Sequence, residues 1–566
     1  MPAAPANLLR QYRQMSPVLA QVLYNRSLKD PTSAAQFLYD RDIEANPFLM
    51  KGMNQAVSRL RVAIRKQEPI IVYGDFDADG VTSTALLIQT LRALGAVVKP
   101  YIPHRVDEGY GLNSKALLKL ARGGAKLIVT VDCGIRSAED VEEGKAAGLD
   151  IIITDHHSIG PDIPRAQAVI NPKQVDCRYP EDMLAGVGVA FKLAQALLKA
   201  ASNDRVKPTL TEDDLLDLVA IGTVADLAPL NRPENRALVR RGLDQINQAR
   251  RPGIRALLKV CGVEPGKVTA MNIGYSLGPR INAAGRLGSA MTAFHLLAAT
   301  DPVQADKLAQ ELHALNSQRQ DLTREAQDKI RERIEAEQRE DDLLIFASDP
   351  GFQPGIVGLV AGRLVEEFYR PAVVMELGEA ESRASCRSIP QFDITRALDQ
   401  CADLLVRHGG HAQAAGFTVL NQNVEDLMAR LTDLAQQTLD GQELLPTLEI
   451  DTEVDANQVS EDLWSELQLL EPTGFMNAAP VFMMRNAYIL EWRLVGRDSR
   501  HLKFRIARAG RPPLDAIGFG LGEWSAQLPG HVDIAYQLEM NEWNGRRTLQ
   551  LNVQDIRLVS STNGAG

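Results

Sequence analysis

Three times in the first third of the chain, an apolar run ends in acidic or imidazole side chains and gives way to a turn and a helical stretch. "PIIVYGDFDADG" opens the series at residue 69, "AKLIVTVDCG" follows at 125 and "LDIIITDHH" at 149. After the first run, Ala85, Ile88, Leu91 and Leu94 fall at helical spacing, with Gly95 as a stop. After the second, "SAEDVEEGKAAG" supplies another helix. Apolar strands alternating with helices predict a parallel, doubly wound sheet, because each parallel pair needs a crossover and the crossover helices cover both faces. The fold class expected is therefore α/β.

With 566 residues, the chain exceeds what one core supports, and three or four domains are expected. Residues 1–45 read as an N-terminal helical cap and 46–300 as the first α/β domain. Within the latter, "LLDLVAIGTVADLAPL" at 215–230 predicts a helix running into a loop. Between Val303 and Asp349 there is neither Gly nor Pro and charges are dense, which predicts a long connecting helix over 301–341. A second α/β domain spans 342–445, beginning at "DLLIFASD". From 446 to 558 the period becomes two: Leu502, Phe504 and Ile506 share one side, and Lys503 and Arg505 the other. Ile534, Tyr536, Leu538 and Met540 alternate likewise, as do Leu549, Leu551 and Val553, and Asn544-Gly545 is a hairpin signal. An OB-like β-barrel fits this segment. Residues 559–566 read as a disordered tail.

Five cysteines without a Cys-x-x-Cys pair argue against a disulfide framework or structural zinc and fit a reducing, cytoplasmic setting. No apolar run is long enough to cross a bilayer, and the start lacks the order of a secretory signal. The net charge of −10 argues against a protein that coats DNA generically, but not against an enzyme with a local basic channel.

Ligands of an open parallel sheet bind beyond the carboxyl ends of its strands. There the first run delivers Asp75, Asp77 and Asp79, the second Asp132, and the third Asp155, His156 and His157, while "GTVADL" adds Asp226. So many carboxylates on one edge repel one another unless cations lie between them. Oxygen ligands with one or two imidazoles suit Mn²⁺ or Mg²⁺, and this number of ligands suits two ions. Such a pair activates water and stabilises a leaving oxygen during attack on phosphorus. Each motif alone has a plainer reading, an acidic turn or surface histidines; their recurrence at successive strand ends favours the metal site.

"GDFDADG", "VDCG", "TDHH" and "GTVADL", in this order, resemble the four motifs of the DHH phosphoesterase superfamily, and "GGHAQAAG" resembles the signature of its associated C-terminal domain. "LAGVGVAFKLA", "LGPRINAAGRLG" and "EPTGFMNAAPVF" narrow the resemblance to the RecJ exonucleases, from about residue 45 to 558. The resemblance implies a DHH domain, a long helix, a second α/β domain closing a cleft and an OB domain. It implies Asp77, Asp79, Asp132, His156, His157 and Asp226 as the metal-holding and catalytic set, with Asp75 and Asp155 either ligands or groups that orient them. By the same resemblance, Arg105, Ser385 and Arg387 form a 5′-phosphate pocket beside Ser388. Arg280 contacts a backbone phosphate, with Asn282 and Arg286 as weaker candidates. His411 meets the scissile phosphate or protonates the leaving oxygen. The implied activity is 5′→3′ hydrolysis of single-stranded DNA to 5′-mononucleotides in recombination and repair. The implied setting is a monomer working beside a single-strand-binding protein and a RecQ-type helicase, without membrane contact. Lys503, Arg505, Arg546, Arg547 and Trp543 are candidates for tracking the strand by charge and stacking.

Two departures from the family pattern stand out. Phe352-Gln353 replaces the usual Trp-His, and Met476-Asn477-Ala478 replaces Gly-Asn-Pro. The alternatives are another DHH phosphoesterase (an oligoribonuclease, nucleotide phosphatase or pyrophosphatase), against which the 450–558 segment argues, and a noncatalytic replication scaffold, which predicts lost acids.

Overall fold

The computed structural model describes residues 1–12, 14–42, 45–105, 108–109, 111–202, 207–528, 530–543 and 545–559. The hairpin residue Asn544, the Trp543 side chain and the tail beyond 559 lie outside the described residues. The chain forms two compact units. One comprises Ala45–Asp226 and Arg241–Thr447, the other Met1–Glu44, Leu227–Arg240 and Leu448–Gly566.

The larger unit contains two sheets. The first is parallel throughout: β1 Ile70–Gly74, β2 Val98–Tyr101, β3 Leu127–Val131, β4 Asp150–Thr154 and β5 Ala168–Ile170, in the order β2-β1-β3-β4-β5. Every residue of β1 and β3 is buried, as continuous apolar runs require of strands covered on both faces. The strand order reverses between β1 and β3, which makes the edge beyond them the switch-point crevice of the sheet. The helix Ala78–Ala93 that follows β1 is buried almost all round rather than along one stripe: Ala85, Ile88 and Leu91 are fully buried and Leu94 only partly. The helices Gly186–Ala201 and Leu216–Ala225 pack against it as a further layer.

The long helix runs Pro302–Ala336, with Asp301 accepting from the N–H groups of Val303 and Gln304 at its start. Its early residues pack beside the helix Gly278–Leu287, and Ala326, Ile330 and Ile334 join the core under the second sheet. That sheet holds β6 Ile345–Asp349, β7 Ala372–Glu376, β8 Glu381–Arg387, β9 Leu405–His411 and β10 Ala414–Leu420, in the order β6-β7-β8-β10-β9. Only β6–β7 is parallel.

In the smaller unit, β11 Thr452–Glu453, β12 Phe482–Val495, β13 His501–Ile506, β14 Leu514–Gly518, β15 His531–Trp543 and β16 Arg546–Leu558 run in the order β11-β12-β13-β14-β16-β15. Pairing of β12 with β15 closes the last five into an OB-like barrel. Leu502, Phe504, Ile506, Ile534, Tyr536, Leu551 and Val553 fill it, matching the period-two pattern. The N-terminal helices Ala6–Gln11, Pro17–Asn25 and Pro31–Tyr39 share this core, so the start of the chain packs with its end. The Arg236 guanidinium is buried here and, among the described residues, makes no ion pair. It stacks over Phe37 and donates to the carbonyls of Phe37, Leu469, Glu471 and Pro472. Asn477, in the departing Met-Asn-Ala segment, is buried and donates to the carbonyls of Leu470 and Pro472. Among the described residues, no helix is long and apolar enough to cross a membrane.

Candidate metal centre

The acids and imidazoles expected at the strand ends meet in the crevice beyond β1, β3 and β4. Three groups of side chains each place ligand atoms within 4.8 Å of one another: Asp75, Asp77 and Asp132; Asp79, His156 and Asp226; Asp132, His156 and His157. Asp132 and His156 each belong to two groups, so the three form one continuous cluster.

Local structure fixes each member. Asp77 caps the helix Ala78–Ala93, its Oδ1 accepting from the N–H groups of Asp79 and Gly80 at 3.0 Å. Both Asp79 oxygens accept backbone N–H bonds at the start of Gly186–Ala201, from Gly186 at 2.6 Å and Val187 at 2.7 Å. Asp132 sits at φ +62°, a left-handed conformation that turns its side chain toward the cluster as the chain leaves β3. Gly186 is required where it stands, because a Cβ there would lie 2.6 Å from the Asp132 side chain. Gly80 likewise faces the Asp75 backbone, with no room for a Cβ.

Asp155 has a different surrounding. Its Oδ1 accepts from the backbone N–H groups of His156 and His157 and lies 2.7 Å from His157 Nδ1, and its Oδ2 accepts from the N–H of Ile135. Its oxygens are thus engaged by protein donors. With Nδ1 of His157 against Asp155, that ring would meet an ion or a phosphate oxygen through Nε2.

Elsewhere the cluster is buried yet incomplete. Among the described residues, Asp75 Oδ1, Asp132 Oδ1 and His156 Nε2 have no hydrogen-bond partner. His156 Nε2 lies 3.1 Å from Asp132 Oδ1, 3.7 Å from Asp226 Oδ2 and 3.9 Å from Asp79 Oδ2, close to all three and bonded to none. Burial, and after it the neighbouring Asp77, pushes Asp75 well above the usual carboxyl range and Asp79 up to about 7. Asp132 and Asp226 rise for burial and then for the charge of Asp79. Burial and then His157 push His156 down to about 3. For Asp155, burial works upward, but the His157 and backbone bonds outweigh it and hold the carboxyl low. Crowded acids with orphaned oxygens and an unprotonated, embedded imidazole are the surroundings a divalent cation completes.

The predicted phosphate-contact residues divide. Arg105 stacks over the Phe76 ring at 4.7 Å and faces Asp75 and Asp77. Ser385 and Arg387 lie together beside Gly358. Ser388 is turned away: it is buried and its hydroxyl donates to the Phe392 carbonyl. Arg280 donates to the Ser276 carbonyl and lies against His313. His411 is exposed at the end of β9, with no contact to the acid cluster among the described residues. Arg505 faces Glu491 and Asp515, which neutralise it. Gln353, in the departing Phe-Gln pair, is exposed, while Phe352 joins the core.

The weaker candidates, Asn282 and Arg286, lie beside the acidic turn. Asn282 Oδ1 accepts from the Ala78 N–H at 2.7 Å, bracing the acidic turn. Arg286, whose guanidinium burial and then Arg105 push down to about 10, faces Asp77 and donates to the Gly355 carbonyl. Sequence reading missed Lys173, which donates to the His156 carbonyl at 2.6 Å and faces Asp226. The strand-end rule reaches it, since β5 ends at Ile170 on the same edge. At three residues, β5 is too short to announce itself as a strand.

Comparison with known proteins follows the same division of the chain. Residues 69–223 match the DHH family, N-terminal domain; 341–438 match the DHHA1 domain; 450–555 match the RecJ OB domain. The chain is 40% identical over 552 residues to the single-stranded-DNA-specific exonuclease RecJ of Bacillus subtilis, covering 97% of this chain and 69% of that one. It is 38% identical over 528 residues to the protein of the same name from Dickeya dadantii, covering 90% and 91%. Among solved structures, RecJ of Thermus thermophilus in complex with Mn²⁺ superposes with a TM-score of 0.84 at 30% identity, covering 99% of this chain and 79% of that one. The Mg²⁺ complex of the same protein gives 0.78 at 29%, covering 99% and 78%.

Proposed function

The chain belongs to the RecJ family of DHH phosphoesterases, and from that premise we propose that it is a metal-dependent, single-strand-specific DNA exonuclease that digests from the 5′ end and releases 5′-mononucleotides. The observation that carries this reading is the buried cluster with three orphaned ligand atoms at the switch point of the parallel sheet.

The residues present fit two divalent ions, Mn²⁺ or Mg²⁺, the ions of the Thermus relatives. Asp75, Asp77 and Asp132 would hold one, and Asp79, His156 and Asp226 the other, with Asp132 and His156 central. When bound, such ions lower the pKa of water and neutralise charge on the phosphate. The chain's own groups do the rest. Asp155 holds His157 in one orientation, presenting Nε2 to a phosphate oxygen. Backbone N–H groups at the start of Gly186–Ala201 hold Asp79 in place. Arg105, Ser385 and Arg387 would grip the 5′-terminal phosphate by bidentate hydrogen bonding, with Arg286 between that grip and the acids. Water enters in line and the 3′ oxygen leaves. With its 5′ phosphate so held, the strand would give up a single mononucleotide at each cut.

The OB-like barrel supports binding of the strand further along. In the cell, the reading places the protein in the cytoplasm, in recombination and repair, beside a helicase and a single-strand-binding protein.

The test offers 5′-phosphorylated single-stranded DNA, its duplex and short RNA, with Mn²⁺, Mg²⁺ or chelator. Mononucleotides from the 5′ end of single-stranded DNA, and none with chelator, are expected. Digestion from the 3′ end, or equal digestion of the duplex, would refute the reading.

A further inference from the structure

A second charged feature lies in the same unit, and the catalytic reading does not use it. Between the long helix Pro302–Ala336 and the helix Val357–Phe368 is a cavity of about 530 Å³. Its walls carry Arg319, Thr323, Arg324, Arg363 and Arg387 against one carboxylate, Glu366. Arg324 lies 3.6 Å from Asp321. Among the described residues, Arg319, Arg363 and Arg387 have no carboxylate partner, and Arg319 Nε is buried without a hydrogen bond. Arg319 faces the like charges of Arg363 and Arg280. Unpaired guanidinium groups crowded in one concavity leave the fork geometry open for phosphate oxygens.

The cavity is placed by residues shared with the 5′-phosphate grip. Arg387 belongs to both. Gly358 lines the cavity, and a Cβ on it would come within 3.2 Å of Ser385 Oγ and 3.3 Å of Arg387 Nη2. One turn on, Gly362 lines it too and has nothing within 4 Å of where a Cβ would sit. The helix therefore shows the cavity a wall with no side chain at these two positions. Arg105 faces Asp75 and Asp77. Arg286 feels the charges of Arg105, Arg319, Asp77 and Arg387 together. Arg319 faces Arg363. Through Arg387 and Gly358, Arg319 and Arg363 thus share a cavity that adjoins the site of the terminal phosphate.

We propose that this cavity receives the distal phosphates of a 5′-triphosphorylated strand, so that the chain also degrades single strands with triphosphate ends. The proposal rests on the exonuclease reading above. The cut is the ordinary one. The oxygen of water bonds to the phosphorus of the second nucleotide. The bond from that phosphorus to the terminal nucleotide's 3′ oxygen breaks, and the 3′ oxygen takes up a proton. The products are a nucleoside 5′-triphosphate and a strand one residue shorter with a 5′-monophosphate. No oxidant or further reactant enters.

The experiment uses the full chain with Mn²⁺ and three oligodeoxynucleotides of one sequence, carrying 5′-hydroxyl, 5′-monophosphate or 5′-triphosphate, with the first product identified by mass spectrometry. Release of nucleoside triphosphate from the third is expected, with kcat/KM within about threefold of the monophosphate strand. Arg319→Ala and Arg363→Ala should each lower kcat/KM for the triphosphate end about tenfold, shift the monophosphate strand by less than about twofold, and be partly rescued by Lys. A triphosphate end that the unaltered chain leaves uncut would overturn the proposal without any variant. So would variants that slow all three substrates equally. If the unaltered chain fails on the monophosphate strand, the exonuclease reading falls first and takes this proposal with it.

Discussion

The acid cluster of the larger unit and the Arg236 site of the smaller one both bury charge, and they treat it in opposite ways. Around Arg236 the protein supplies every partner: four carbonyls and an aromatic face for one guanidinium. Around Asp75, Asp132 and His156 it supplies like charges and leaves ligand atoms unbonded. Burying charge costs several kcal/mol unless it is paired or hydrogen-bonded. A site that meets the cost internally holds the fold together; a site that leaves it unmet is built for a counter-charge from outside. Burial alone does not distinguish the two, but the tally of hydrogen-bond partners does.

The comparison is exposed most severely by Asp132→Ala. Loss of the acid common to two ligand groups should lower kcat by about a thousandfold or more, while circular dichroism and thermal melting show a folded chain, since among the described residues its Oδ1 makes no hydrogen bond. Retained turnover would undo the functional half of the contrast. Arg236→Met should do the reverse, lowering stability by roughly 2–3 kcal/mol in denaturant while leaving the cleavage rate at low temperature within about twofold. The loss is not larger because Arg240 also donates to the Leu469 and Glu471 carbonyls and Asn477 to that of Pro472. Phe37 O is the acceptor that loses most.

Asp155→Asn lies between these extremes, since Asp155 is satisfied by protein donors yet sits inside the functional cluster. Mn²⁺ affinity, read by calorimetry, should fall roughly ten- to hundredfold with the fold intact. An unchanged affinity would make Asp155 purely structural.

The smallest effect is the pH dependence of the metal-free chain. Asp79 titrates at about 7 when folded and near 4 when unfolded, so between those values the folded state holds the extra proton. Stability from this group is therefore lost as pH rises through 7. His156, held down to about 3, works the opposite way below about 6.5, so the window to read is pH 6.5 to 8. Melting of the metal-free protein should show a loss of about 1 kcal/mol from this group there, to which the raised Asp75, Asp132 and Asp226 add in the same direction; Asp79→Asn should lessen it and Mn²⁺ reverse it. A metal-free chain that gains stability across this window would contradict the unmet burial.

The strand–turn–helix repeat, the positions of the acids on one sheet edge and the barrel's alternating core could all be read in the sequence, because each is a local period or a strand end. Ser388, Arg280 and Lys173 could not. The serine is turned inward by a bond to Phe392, the arginine is drawn to Ser276 and His313, and the lysine follows a strand of three residues. Composition and spacing say nothing about those partners.

By itself the sequence determined which side chains could hold a metal and that they lie at the ends of neighbouring strands, since apolar runs and strand-to-helix turns are properties of contiguous residues. Only the tertiary structure decided that Asp155 serves as an orienter, that the N-terminal helices complete a core with residues some 450 positions later, and that the arginines of two distant helices share a cavity. Those outcomes depend on which donors and apolar faces come within a few ångströms after folding, and hydrogen bonds and packing act over that range whatever the separation along the chain.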